Sequence, residues 1–138
     1  MYIQPHQIQP WLERLLAEHD AVAGSVHLLA DGVLTLAAAV RIPEKVQQAV
    51  LRVPRGKGMA GLAWERDEPV QTCNLQAGDS ADVQPGAKAV DAKGAVALPV
   101  HGADGAVRAV VGLAFADERT LGEAQLAALM QAASTLPG

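Results

Sequence analysis

The sequence is short of most residues that announce a chemistry. Among 138 residues there is one cysteine, Cys73, which can neither close an internal disulfide nor build a zinc cluster by itself. Four aromatic side chains, Tyr2, Trp11, Trp64 and Phe115, are too few to wrap a large planar cofactor. Basic charge is in deficit, with 11 Lys and Arg against 15 Asp and Glu. The basic stripe of a nucleic-acid binder is therefore missing. No apolar run approaches the roughly 18–20 residues that span a bilayer, and residues 1–10 lack the basic and apolar regions of a signal peptide. These absences predict a protein of the reducing cytoplasm with no membrane partner and no nucleic-acid partner.

What is present is a foldable core. Half of the residues are apolar and the net charge is only −4, which excludes a disordered chain. Alanine supplies 27 of the apolar residues, so the interior is built from small and aliphatic side chains. A chain of this length buries about 68–70% of its unfolded surface as one domain. The expected division is a lead-in over 1–9 and a single domain over 10–136.

Periodicity then divides the chain into elements. Pro10 suits a first helical turn, and Trp11, Leu12, Leu15 and Leu16 recur on one side opposite Glu13, Arg14, Glu18 and Asp20. From Gly24 the period becomes two: Val26, Leu28 and Ala30, then Asp31-Gly32, then Leu34, Leu36, Ala38 and Val40. Asp-Gly between two such runs predicts a hairpin with a type I′ turn. The same device is expected at Asp104-Gly105, between Val96–Val100 and the apolar strand Val107–Phe115. Between the hairpins lie a short helix after Pro43, an extended Val53-Pro54, a second short helix from Met59 to Arg66, and a strand Val70–Cys73. Residues 74–94 show no period and read as a long loop with a short helix near Pro85–Val90. Thr120 to Glu123 fits a capping box opening a last helix through Leu126, Leu129, Met130 and Ala133. The fold class is α+β. A central antiparallel sheet of five or six strands carries the N- and C-terminal helices on one face. The short helices and the long loop cover a pocket on the other.

Residues 56–61, Gly-Lys-Gly-Met-Ala-Gly, formally match G-x-G-x-x-G. A dinucleotide fingerprint needs a full crossover helix and a parallel strand after it. Here the helix is under three turns, so that reading is set aside. The stretch from Val53-Pro54-Arg55-Gly56-Lys57-Gly58 through Trp64-Glu65, followed by Glu68-Pro69-Val70, instead resembles the central signature of GAF domains, with Asp67 in place of the usual glycine. A second block, Ala97-Leu98-Pro99-Val100 with Val110-Val111-Gly112-Leu113-Ala114, is similar to the later strands of that family, and Thr120–Ala133 to its closing helix. The resemblance spans roughly residues 10–135.

The resemblance implies a small-molecule pocket roofed by the short helices and by residues 74–94, and dimerisation through the first and last helices. It implies as ligand-binding candidates Lys57, Gly58, Met59, Ala60, Trp64, Thr72, Asp91 and Leu98. The Asn-Lys-Phe-Asp-Glu signature of the cyclic-nucleotide members is absent. The enzymatic branch, the free methionine-R-sulfoxide reductases, places cysteines in a G-V-C-G and an A-C-D. This chain has Gly58-Met59-Ala60-Gly61 and Ala89-Val90-Asp91 there, without nucleophilic or redox chemistry.

The expected function is thus a non-catalytic regulatory domain with no cofactor. It senses a small molecule and signals through a homodimer or a further protein partner. The alternatives are a ligand-free interaction module and a relative of the reductases that has lost its cysteines. Arg41, Lys45, Arg52, Arg55 and Lys57 gather before a helix start at Gly58–Met59. They are either solvated turn charges or a place where an anionic ligand meets Lys57 and free amides. Trp64 either walls the pocket or plugs it, and Trp11 packs on the sheet or on a partner. Cys73 reads as a small buried hydrophobe rather than a redox sensor. His27 and His101 read as surface or satisfied strand histidines, not haem ligands.

Overall fold

A computed structural model describes residues 5–72 and 92–137. Six antiparallel strands form one sheet in the order β3-β2-β1-β6-β5-β4. They are β1 (Ala23–Ala30), β2 (Val33–Val40), β3 (Arg52–Val53), β4 (Val70–Thr72), β5 (Ala95–His101) and β6 (Val107–Ala114). The helices are α1 (Pro5–Glu18), α2 (Glu44–Ala49), α3 (Gly58–Arg66) and α4 (Glu123–Ala133). Every strand pairing is antiparallel, so α3 joins antiparallel strands rather than completing a parallel crossover.

The terminal helices cover one face, as the sequence predicts. Trp11, Leu12, Leu15 and Leu16 of α1 and Leu129 and Ala133 of α4 share a core with Val26, Leu98, Val111 and Leu113. The Trp11 indole N–H donates to Thr135 Oγ1 at 3.0 Å and fastens the two ends of the chain together. On the opposite face α3 packs Ala63, with Leu62 and Trp64, against Leu34, Val53, Ala97 and Val110. Val46 of α2 meets Ala23 and Ala114.

Four local expectations are corrected. First, α1 begins at Pro5, so Pro10 lies inside it and residues 5–9 are not a loose lead-in. Ile8, 0% exposed, extends the apolar stripe by one turn. Second, Leu34, Leu36, Ala38 and Val40 do not share a face. Val26 stands opposite Ala38 but His27 opposite Leu36, so Ala37 is the extra residue of a bulge. That inversion sends Leu34 to the α3 side and Ala38 to the α1 side.

Third, the two Asp-Gly pairs fold differently. Asp31 (φ 51) and Gly32 (φ 80) both adopt positive φ, as a type I′ turn requires. At the second pair only Gly105 does (φ 83); its N–H donates to Gly102 O at 3.0 Å, and Asp104 Oδ1 accepts from Ala106 N–H. The longer loop arises because a register shift at Val100/His101 ends the pairing earlier. Fourth, α4 is capped at Gly122, whose N–H donates to Gln125 Oε1 at 2.8 Å, two residues beyond the expected Thr120. The reason is Leu121, which is buried and held on both sides of its peptide by the Gln71 amide of β4.

Cys73, Asp91 and the expected helix near Pro85–Val90 lie outside the described residues.

Candidate functional site

The α3 side of the sheet holds a cavity of about 480 Å³. Its existence follows from the size of the side chains that floor it. Ala95 and Ala97 of β5, Gly112 and Ala114 of β6 and Ser25 of β1 all line it, and none can reach far above the sheet. Ile42 and Val46 with Ala49 close one side, and Met59 and Ala60 of α3 close another. The result is an apolar concavity in the size range of small-ligand sites.

The glycine-rich turn explains how α3 reaches this position. Gly56 N–H donates to Gly61 O at 2.9 Å and Lys57 N–H to Pro54 O at 3.2 Å, folding the turn back over the helix start. A Cβ at Gly61 would lie 2.5 Å from Pro54 O, so only glycine permits the approach. Lys57 caps α3 without a side-chain bond. The first turn of a helix leaves its amides without intrahelical acceptors, here those of Gly58, Met59 and Ala60. All three residues line the cavity. The motif is therefore a device for close packing and for bringing a helix start to a pocket.

Two cations, Arg52 and Lys57, stand among the described lining residues, and no carboxylate does. Both are exposed, so their charges sit at the mouth rather than in the apolar interior. His27 is the one buried polar or charged residue among the described residues. Its Nε2 lies 2.8 Å from Val50 O, at the C-terminal cap of α2. Burial holds the ring's pKa below its ordinary value, outweighing the opposite pull of that bond.

Four of the eight sequence-derived candidates, Lys57, Gly58, Met59 and Ala60, come together at the cavity. Leu98 does not: it is fully buried on the other face, among the residues under α1 and α4. Strand parity is the reason, since its neighbour Ala97 faces the cavity. Trp64 does not line the cavity either; it joins the core beneath α3, with the Arg55 guanidinium 5.8 Å from its ring centre. Thr72 ends β4 at the sheet edge, away from the lining, and Asp91 lies outside the described residues.

Sequence reasoning missed Ser25 as a lining residue and read His27 only as satisfied or exposed. The signal available was their spacing of two on a strand, which puts both on one face. Among the described residues no cluster of His, Cys, Asp or Glu could hold a metal, and no helix is long and apolar enough to cross a membrane.

Comparison with known proteins agrees with this geometry. The sequence model of the GAF domain matches residues 11–136. No curated protein matches the sequence. A GAF domain from a phosphoenolpyruvate-protein phosphotransferase of Coxiella burnetii superposes with a TM-score of 0.73 at 20% identity, over 94% of this chain and 80% of that one. A type II free methionine-R-sulfoxide reductase of Thermoplasma acidophilum gives 0.72 at 17% identity, over 96% and 88%. The NreA protein of Staphylococcus aureus, mutated in its nitrate binding site, gives 0.68 at 15% identity, over 86% and 89%. At these identities the likeness is one of fold.

Proposed function

The chain belongs to the GAF domain family, and on that premise we propose that it is a non-catalytic regulatory domain of the cytoplasm, a single unit that binds a small anion in its cavity. The observation that carries this reading is the charge asymmetry of the pocket. Arg52 and Lys57 are the only charged residues among the described lining, and the free amides of the α3 start stand beside them. A protein of like fold is described by its nitrate binding site, which agrees with an anion in this architecture.

A reductase role is disfavoured on chemical grounds. Ala60 occupies the place where the resemblance expects a thiol, and a methyl side chain has neither the nucleophilicity nor the redox chemistry of a thiolate. Binding would instead alter how the domain associates, through a homodimer of the terminal helices or with a further protein.

The test is thermal unfolding of the chain against nucleotides, amino acids and small organic acids, including phenylacetate. A compound present at a hundred times its Kd adds about 2.7 kcal/mol of stability. Carboxylates and phosphates should stabilise the protein, and Lys57→Ala should weaken them about fivefold, as for one solvent-exposed charge contact. Stabilisation by no anion, or equal affinity in Lys57→Ala, overturns the anion reading; the former outcome leaves an interaction module without a ligand.

A further inference from the structure

Ser25 and His27 project from one face of β1 into a floor that is otherwise alanine, glycine and aliphatic side chains. Residues two apart on a strand stand roughly 6.5–7 Å from each other, so one small group seated between them can touch both. The hydrogen-bond state of each is fixed by its surroundings.

His27 is 4% exposed, and its Nε2 lies 2.8 Å from the Val50 carbonyl. A carbonyl oxygen only accepts, so Nε2 must carry the hydrogen. Burial keeps the ring neutral, and Nδ1 is then a bare lone pair. Among the described residues Nδ1 has no hydrogen-bond partner, and neither has Ser25 Oγ. Gly112 stands in register opposite Ser25. A Cβ at Gly112 would come within 2.9 Å of Ser25 Oγ, so glycine there keeps the space over the hydroxyl open. Neither atom is committed to a protein partner, so both are available to a group that enters the cavity.

We propose that Ser25 and His27 form a recognition site for a neutral hydroxyl, alcoholic or phenolic, whose O–H donates to His27 Nδ1 and whose oxygen accepts from Ser25 O–H. A carboxylate or ketone cannot donate to Nδ1. An ammonium or ring N–H can donate to Nδ1 but leaves the Ser25 O–H without an acceptor. A hydroxyl does both. Combined with the cationic mouth at Arg52 and Lys57, this defines the ligand class as a hydroxy acid with an apolar body between its two polar ends. The inference rests on the anion reading of the same cavity and narrows it.

The experiment is calorimetric titration of the full chain at neutral pH with a matched pair, 4-hydroxyphenylacetate and phenylacetate. It is run on wild type, Ser25→Ala and His27→Phe, with ring nitrogen NMR of wild-type His27 alongside. The hydroxy compound should bind at least about tenfold tighter, each substitution should erase most of that preference, and the Nδ1 resonance should move upfield with the hydroxy compound alone. Should His27→Phe fail to fold, the wild-type NMR and Ser25→Ala decide. Equal affinities for the pair with an unmoved Nδ1 overturn the hydroxyl site and leave the anion reading standing. A preference that survives substitution also overturns the site. Binding of neither compound overturns the hydroxyl site, and the anion reading falls with it where the wider anion screen also finds no stabilisation.

Discussion

His27 illustrates how one residue's environment sets its chemistry. Its type and its strand position are written in the sequence, but its neutrality comes from burial beneath α2 and the bond to Val50 O. The sign of its pH effect follows. The unfolded ring titrates near its ordinary value of about 6.5, while the folded ring resists protonation. Below that pH the unfolded state binds more protons, so the folded state loses stability as pH falls and regains it fully above about pH 6.5. The slope reaches at most about 1.4 kcal/mol per pH unit. Denaturant unfolding at pH 7.5 and 5.5 should show a larger acid loss for wild type than for His27→Gln, whose amide can still donate to Val50 O. Equal losses would show that the ring is not held neutral. At the same scale, Leu98 and Ala97 differ by one residue and face opposite sides of the sheet. A motif match locates the block but cannot choose between them, because a one-residue slip reverses every side chain.

Among the elements, α1 departs furthest from its local signals. An interior proline costs a helix about 3 kcal/mol, which argues for a start at Pro10. Burying an isoleucine returns roughly 1.5–3 kcal/mol and a hydrogen bond about 1 kcal/mol. Ile8 is buried, and the Gln9 amide donates to Ala39 O of β2 at 2.9 Å, so docking on the sheet offsets the proline. Ile8→Ala should therefore destabilise the protein by about 2–5 kcal/mol, read from the denaturant midpoint. A change below about 0.5 kcal/mol would show that the turn before Pro10 is undocked. The two hairpins make the complementary point. Asp31-Gly32 is flanked immediately by paired residues and folds as its dipeptide dictates. Asp104-Gly105 has further residues on either side, and the strand register decides the loop.

For the whole molecule, the terminal helices lie together on one face of the sheet, leaving the cavity side to α2 and α3. Ala124, Ala127 and Ala128 of α4 are exposed rather than spent on the core. Small exposed residues allow a second helix to approach closely, and this face is where the proposed homodimer would form. Light scattering should give twice the 14.3 kDa chain mass for wild type and the single-chain mass for Ala128→Glu. A wild-type mass of one chain would end the dimer proposal.

Residue order by itself determined the kinds of element, the Asp31-Gly32 turn, the division of helices between the two faces and the glycine-launched α3, because periodicity, turn chemistry and steric freedom act over a few neighbouring residues. Only the tertiary structure decided which side chains meet at the cavity. Its floor draws on β1, β5 and β6, brought together by pairing register, and its volume depends on Ser25, Ala95, Ala97, Gly112 and Ala114 being small at once. The bulge at Ala37, the displaced start of α4 and the tautomer of His27 were likewise settled by distant partners, Val26, Gln71 and Val50. No local pattern carries that information, because the energies that fix it belong to contacts made only after the chain has folded.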